Sequence, residues 1–129
     1  MAHPHEEVLR KGTEALNQGD LETFLGFHAD DVVTHIGGRS PFAGDYSGKE
    51  ELARLFQRQM EMLDGPPQFD LHDVLANDTH GVVLGNQRVT RGGKTFEDRN
   101  VVVFHFDDGK VKEVWVTSDD QFGEQEFWS

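Results

Sequence analysis

His35-Ile-Gly-Gly-Arg-Ser-Pro-Phe-Ala-Gly-Asp-Tyr-Ser-Gly-Lys-Glu-Glu-Leu52 is the stretch on which the fold turns. It begins at the end of a β-type run, Val32-Val33-Thr34-His35-Ile36, and passes through a loop, residues 37–48, with four glycines and one proline. Ser47-Gly48-Lys49-Glu50 reads as a capping box, Ser at the N-cap and Glu three residues on. The helix it starts uses Leu52, Leu55, Phe56, Gln59 and Leu63, and Asp64-Gly65-Pro66-Pro67 stops it. Strand, glycine-rich loop and capped helix follow one another without a break.

Upstream the pattern is helical. Val8, Leu9, Gly12, Ala15 and Leu16 recur at helical spacing, with Glu6 and Glu7 near the N-terminal end where acids suit the helix dipole. Asn17-Gln18-Gly19 ends this helix, and Asp20 has N-cap chemistry for a short second one carrying Leu21, Phe24, Leu25 and Phe27. Downstream the period changes to two. Residues 69–76, 82–90, 94–106 and 111–117 read as strands, separated by Asn77-Asp78-Thr79-His80-Gly81, Arg91-Gly92-Gly93 and Asp107-Asp108-Gly109-Lys110. Such short connections imply an antiparallel meander. The expected order is α-α-β-α-β-β-β-β: an α+β fold with three N-terminal helices packed on a curved, mainly antiparallel sheet.

The 129 residues suffice for one domain, 1–129, and for a real core without crosslinks. The chain holds 24 acidic and 12 basic side chains, a net charge of −12, divided equally between its halves. With no basic patch, nucleic acid and anionic membranes are excluded as expected partners. There is no Cys, which removes disulfides, thiolate nucleophiles and zinc–thiolate or iron–sulfur ligation. No signal-peptide pattern and no apolar run of membrane-spanning length is present, so a cytoplasmic, soluble protein is expected. A His-Glu-x-x-His motif, a phosphate loop and a Gly-x-Ser-x-Gly elbow are absent, and the scattered His do not suggest a metal site.

The element order, with Gly19-Asp20-Leu21, Asp30-Asp31-Val32, Tyr46-Ser47-Gly48 and the run from Phe104 to Trp115, resembles the nuclear transport factor 2-like (cystatin-like) superfamily, and within it SnoaL-like proteins. The resemblance covers essentially the whole chain. It implies a cone-shaped cavity between sheet and helices with polar groups at its base. It also implies proton-transfer chemistry on a small hydrophobic molecule, needing no cofactor and no metal. The superfamily includes polyketide cyclases, ketosteroid isomerases, epoxide hydrolases and proteins without chemistry, so fold cannot stand in for the site.

By that resemblance His35 stands where ketosteroid isomerases carry an Asp base, and an imidazole can accept a proton near neutral pH. The alternative is a buried His bonded to a carbonyl. Asp119 and Asp120 follow the last strand, where SnoaL-like cyclases carry a catalytic Asp; either one is the acid/base, Asp120 preferred, or both form a solvated turn. Strand parity puts Phe96, Asp98, Asn100, Val102, Phe104 and Phe106 on one face, the inner one, so Asn100 and Asp98 are expected to line the cavity. Asp98 paired with Arg91 or Lys94 is the alternative. Tyr46, the only Tyr, and Trp115 complete the expected substrate-binding set. Phe127 and Trp128 either close the cavity or anchor the tail.

Two departures count against specific activities. The first helix lacks the Tyr that serves ketosteroid isomerases as oxyanion donor, and Thr117 stands where related epoxide hydrolases have an Asp. The expectation is an acid/base enzyme acting on a hydrophobic carbonyl compound by cyclisation, isomerisation or dehydration through an enolate. By the same resemblance a homodimer is expected, because the sheet face with Val101 and Val103 needs cover. The competing expectation is a non-catalytic binder of a small apolar ligand, or a dimerisation module. A closed cavity below about 300 Å³, or one without convergent polar groups, would suit the latter.

Overall fold

The computed structural model describes residues 2–129. Three helices precede the meander: α1 (Pro4–Asn17), α2 (Leu21–Gly26) and α3 (Lys49–Met62). The strands are β1 (His28–Ile36), β2 (Gly44–Ser47), β3 (Gln68–Ala76), β4 (His80–Arg91), β5 (Lys94–Asp107) and β6 (Lys110–Ser118), and a fourth helix, α4 (Gln121–Trp128), closes the chain. All six strands form one sheet in the order β2-β1-β6-β5-β4-β3. Among the described residues only β1 and β6 run parallel; the other four pairings are antiparallel.

Local chemistry explains the meander. Arg91 pairs with Lys94 across Gly92 and Gly93, whose φ values of 57° and 79° only glycine adopts freely. Asp107 pairs with Lys110 across Asp108 and Gly109, also at positive φ. Two consecutive left-handed residues match the twist of the flanking strands and keep the hairpin tight. Asp20 caps α2 as expected, its carboxylate accepting from the Thr23 N–H at 3.2 Å.

Three expectations are corrected. The glycine-rich loop contains β2, which pairs with β1 from Val33↔Ser47 to Ile36↔Gly44. β1 begins at His28, four residues before the apolar run. The N-cap of α3 is Gly48, at φ 87°, not Ser47, and Glu51 rather than Glu50 reaches back, accepting from the Ser47 N–H at 2.5 Å. At the N-terminal end His3 caps α1, and His5 stacks on Phe106 with ring centroids 3.9 Å apart.

α1 and α3 cover one face of the sheet, burying Leu9, Leu52 and Leu55 against Val32, Val74, Val83, Val111 and Val114. The inner face of β5 carries Phe96, Asp98, Asn100, Val102, Phe104 and Phe106, as parity requires. No helix among the described residues is long and apolar enough to cross a membrane.

Candidate functional site

Sheet and helices do not meet along their whole length. Between them lies a cavity of about 160 Å³, walled by Leu9, Leu16, Phe24, Leu55, Phe56, Val102, Phe104 and Trp128 among others. Its walls are mostly apolar. For scale, an engineered apolar cavity of about 150 Å³ accepts benzene, so the unaltered walls admit a slender molecule.

Polar groups enter this cavity at three levels along the strands. His28 pairs with Val111 at one end, Thr34 with Val114 in the middle, and Asn100 with Ser118 at the other end. Among the described residues, four buried side-chain atoms have no hydrogen-bond partner: Thr34 Oγ1, Asp98 Oδ1, Asn100 Nδ2 and Glu124 Oε1. Thr34, Asn100 and Glu124 line the cavity. Native proteins pair the large majority of such atoms, and each one left alone costs about 1–3 kcal/mol. Their gathering around one cavity marks it as a place for a polar ligand group.

Glu124 is strongly perturbed there. It projects from the first half of α4, with Oε1 so close to Gly38 that a Cβ at that position would stand 3.0 Å away. Partial burial, then the neighbouring charges of Asp98 and Asp120, push its carboxyl up to about 7. Asp98 is buried beside it and accepts a hydrogen bond from the Ser118 hydroxyl. Burial raises the Asp98 carboxyl above its ordinary value, with Asp119 and Asp120 adding repulsion; Ser118 and the nearby Asn100 amide oppose this. Two neighbouring, partly desolvated carboxyls resist double ionisation.

The expected residues divide between cavity and outer surface. Asn100 lines the cavity, and Asp98 sits beside it, bonded to Ser118 rather than to Arg91 or Lys94. His35 stands elsewhere: odd-numbered parity on β1 turns it to the opposite face of the sheet. There Asp45 (2.7 Å from Nδ1) and Glu113 (2.6 Å from Nε2) hold it, in that order of effect, above its ordinary pKa. Trp115 lies on the same outer face, stacked on His35 with centroids 5.7 Å apart. Asp119 is exposed, accepting from the Arg99 N–H at 2.9 Å. Asp120 is exposed as the N-cap of α4, accepting from the Gly123 N–H at 2.9 Å. β6 ends at Ser118, so neither Asp continues its inner face. The Tyr46 hydroxyl donates to the Phe42 carbonyl at 2.7 Å and stands outside the cavity wall.

Glu124, Thr34 and His28 escaped the sequence reading. Thr34 shares parity with Val32 and Ile36, and choosing that face of β1 would have found it. For Glu124 the signal was the tail itself: Asp120 caps α4, and the Arg91 guanidinium donates to the Phe127 and Trp128 carbonyls at 3.4 and 3.3 Å. Trp128 lines the cavity and meets Phe42 edge-on, with centroids 4.8 Å apart.

Comparison with known proteins agrees with this architecture. The sequence model of the SnoaL-like domain matches residues 9–114. An uncharacterised protein of Mycobacterium tuberculosis is 25% identical over 125 residues, covering 95% of both chains. Bal32a, from a soil-derived mobile gene cassette, superposes with a TM-score of 0.89 at 30% identity, covering 95% of each chain. TerC, co-crystallised with polyporic acid, superposes with a TM-score of 0.81 at 19% identity, covering 91% of this chain and 92% of its own.

Proposed function

The chain belongs to the SnoaL-like domain family, and from that premise we propose that it is an acid/base enzyme acting on a small hydrophobic carbonyl compound through an enolate. The observation that carries the reading is Glu124. A carboxyl held at about 7, at the same cavity as the unpaired Asn100 amide, is half ionised at neutral pH and can take up or return a proton. The Asn100 Nδ2–H groups supply donors for the oxygen on which enolate charge develops. Asp98 positions this chemistry by repulsion, keeping Glu124 from ionising too readily. That TerC, of the same fold, was co-crystallised with polyporic acid supports a cavity that takes an organic ligand.

Proton abstraction beside a carbonyl has a general assay. 1-Phenylpropan-2-one incubated with the protein in deuterated buffer should exchange its α-hydrogens faster than in buffer alone, as read by proton NMR. Glu124→Gln should lose on the order of 10²-fold or more of that rate. Exchange at the buffer rate, or exchange indifferent to Glu124→Gln, would overturn the proposal.

The cavity volume favours a second reading. At about 160 Å³ it lies below the size expected of most enzyme pockets, and a non-catalytic binder of a small apolar molecule would need no more. Binding of the ketone without any exchange would select this reading.

The proposal includes a homodimer and a cytoplasmic setting, the latter suited to a chain without Cys. Val101 and Trp115 are 42% and 37% exposed on the outer sheet face, where a second copy would cover them. Sedimentation as a monomer at micromolar concentration would sink the dimer.

A further inference from the structure

His28 lies at the opposite end of the cavity from Asn100. The two pair with Val111 and Ser118 of β6, seven residues apart, or about 23 Å along the strand. His28 is 4% exposed and lines the cavity. Its Nδ1 lies 2.9 Å from the Phe24 carbonyl oxygen. A carbonyl only accepts, so Nδ1 carries the proton, and a neutral ring then bears a free lone pair on Nε2. The ring is neutral: burial lowers its pKa to about 4, helped by Lys49 and Lys110, although the Phe24 bond works the other way. The Phe24 ring, tilted with its centroid 4.5 Å away, fixes the imidazole's orientation.

Nε2 has no hydrogen-bond partner among the described residues, yet it is not one of the sealed, unpaired atoms. The ring lines the cavity, which is where a ligand can meet that lone pair. We propose that His28 Nε2 is a ligand-binding acceptor, and that this end of the cavity selects molecules presenting a hydroxyl or N–H donor. The inference goes beyond the acid/base reading and rests on different residues. A buried acceptor discriminates because a ligand without a donor leaves the lone pair desolvated and unpaired, whereas one with a donor satisfies it.

Phenol and toluene test the inference, because they are nearly equal in size and neither has a carbonyl. Phenol should bind the native protein about three- to tenfold more tightly than toluene. Phenol, and not toluene, should move the ¹⁵N resonance of His28 Nε2 as that atom accepts a hydrogen bond. His28→Phe should bind the two alike. If that variant does not fold, His28→Gln serves in the binding series, where a weakened preference for phenol is expected. The Nε2 resonance needs no variant at all. An Nε2 resonance unmoved at saturating phenol, no binding of phenol at millimolar concentration, or a preference for phenol undiminished in the folded variant would overturn the inference. None of these results touches the deuterium-exchange experiment, so the two readings fail separately.

Discussion

Replacing Glu124 with Gln removes a charge that the fold holds at a disadvantage. Glutamate has an ordinary pKa of 4.5, and in the folded protein this one reaches about 7. Between those values the unfolded chain is ionised at this position and the native chain is protonated. The native state thus binds more protons, and stability falls as pH rises from about 4.5 to about 7. Each pKa unit corresponds to about 1.4 kcal/mol, so the full difference would be roughly 3 kcal/mol. The carboxyl is only partly buried, and solvent screening reduces the expected loss to about 1–2 kcal/mol. Gln has nearly the same shape and never ionises, so the variant does not suffer this loss. Near pH 4 wild type and Glu124→Gln should unfold at similar denaturant concentrations. Near pH 8 the variant should be more stable by about 1–2 kcal/mol, a rise in Tm of roughly 3–10 °C for a chain of this size. Urea and thermal unfolding of both proteins across this range read the effect directly. Parallel pH curves, or a variant less stable than wild type near pH 8, would refute the reasoning.

Three further outcomes are expected. Gly81→Ala should destabilise by about 1–3 kcal/mol in urea unfolding, because its Cβ would stand 2.6 Å from Leu9 Cδ1 and 3.2 Å from Phe106 Cε2. Leu55→Ala should cost about 2–5 kcal/mol, since Leu55 is completely buried against the cavity; the widened cavity should then retain larger aromatic ketones in ligand-observed NMR. Asp45 and Glu113 raise the pKa of His35, so its clamp on β2 is fully formed below its ordinary value of 6.5 and is lost as pH rises through the raised one. Amide exchange in β2, corrected for intrinsic base catalysis, should accelerate over that window in the native protein and show no such step in His35→Phe.

Much of the site's scaffold was legible, and the exceptions have physical causes. On β5 one alternating set holds three Phe and the other holds Glu97, Arg99 and His105, so hydrophobicity alone picks the inner face and places Asn100 there. On β1 the choice is poorer. Val32, Thr34 and Ile36 compete with Val33 and His35, and each set is partly apolar. Pairing with β2 and β6 on either side, together with α3 overhead, decides which face is covered. β2 itself is Gly-Asp-Tyr-Ser, with little β preference of its own, and exists because β1 offers it an edge. α4 is eight residues long, marginal as an isolated helix, and held by its Asp120 cap and by Arg91 from β4.

What the sequence by itself determined was the set of elements carried by periodicity and turn chemistry: helices α1 to α3, the antiparallel meander, and the inner face of β5. These are local properties, settled within a few residues by backbone preference and side-chain spacing. Only the tertiary structure decided which polar groups share the cavity. Glu124 and Asn100 are 24 positions apart, and His28 is 96 from Glu124. Their common surroundings arise from the parallel pairing of β1 with β6 and from the return of α4 over the sheet. Desolvation and the charges of Asp98 and Asp120 then turn an ordinary glutamate in an acidic tail into a group that titrates near neutrality, and such forces act across space rather than along the chain.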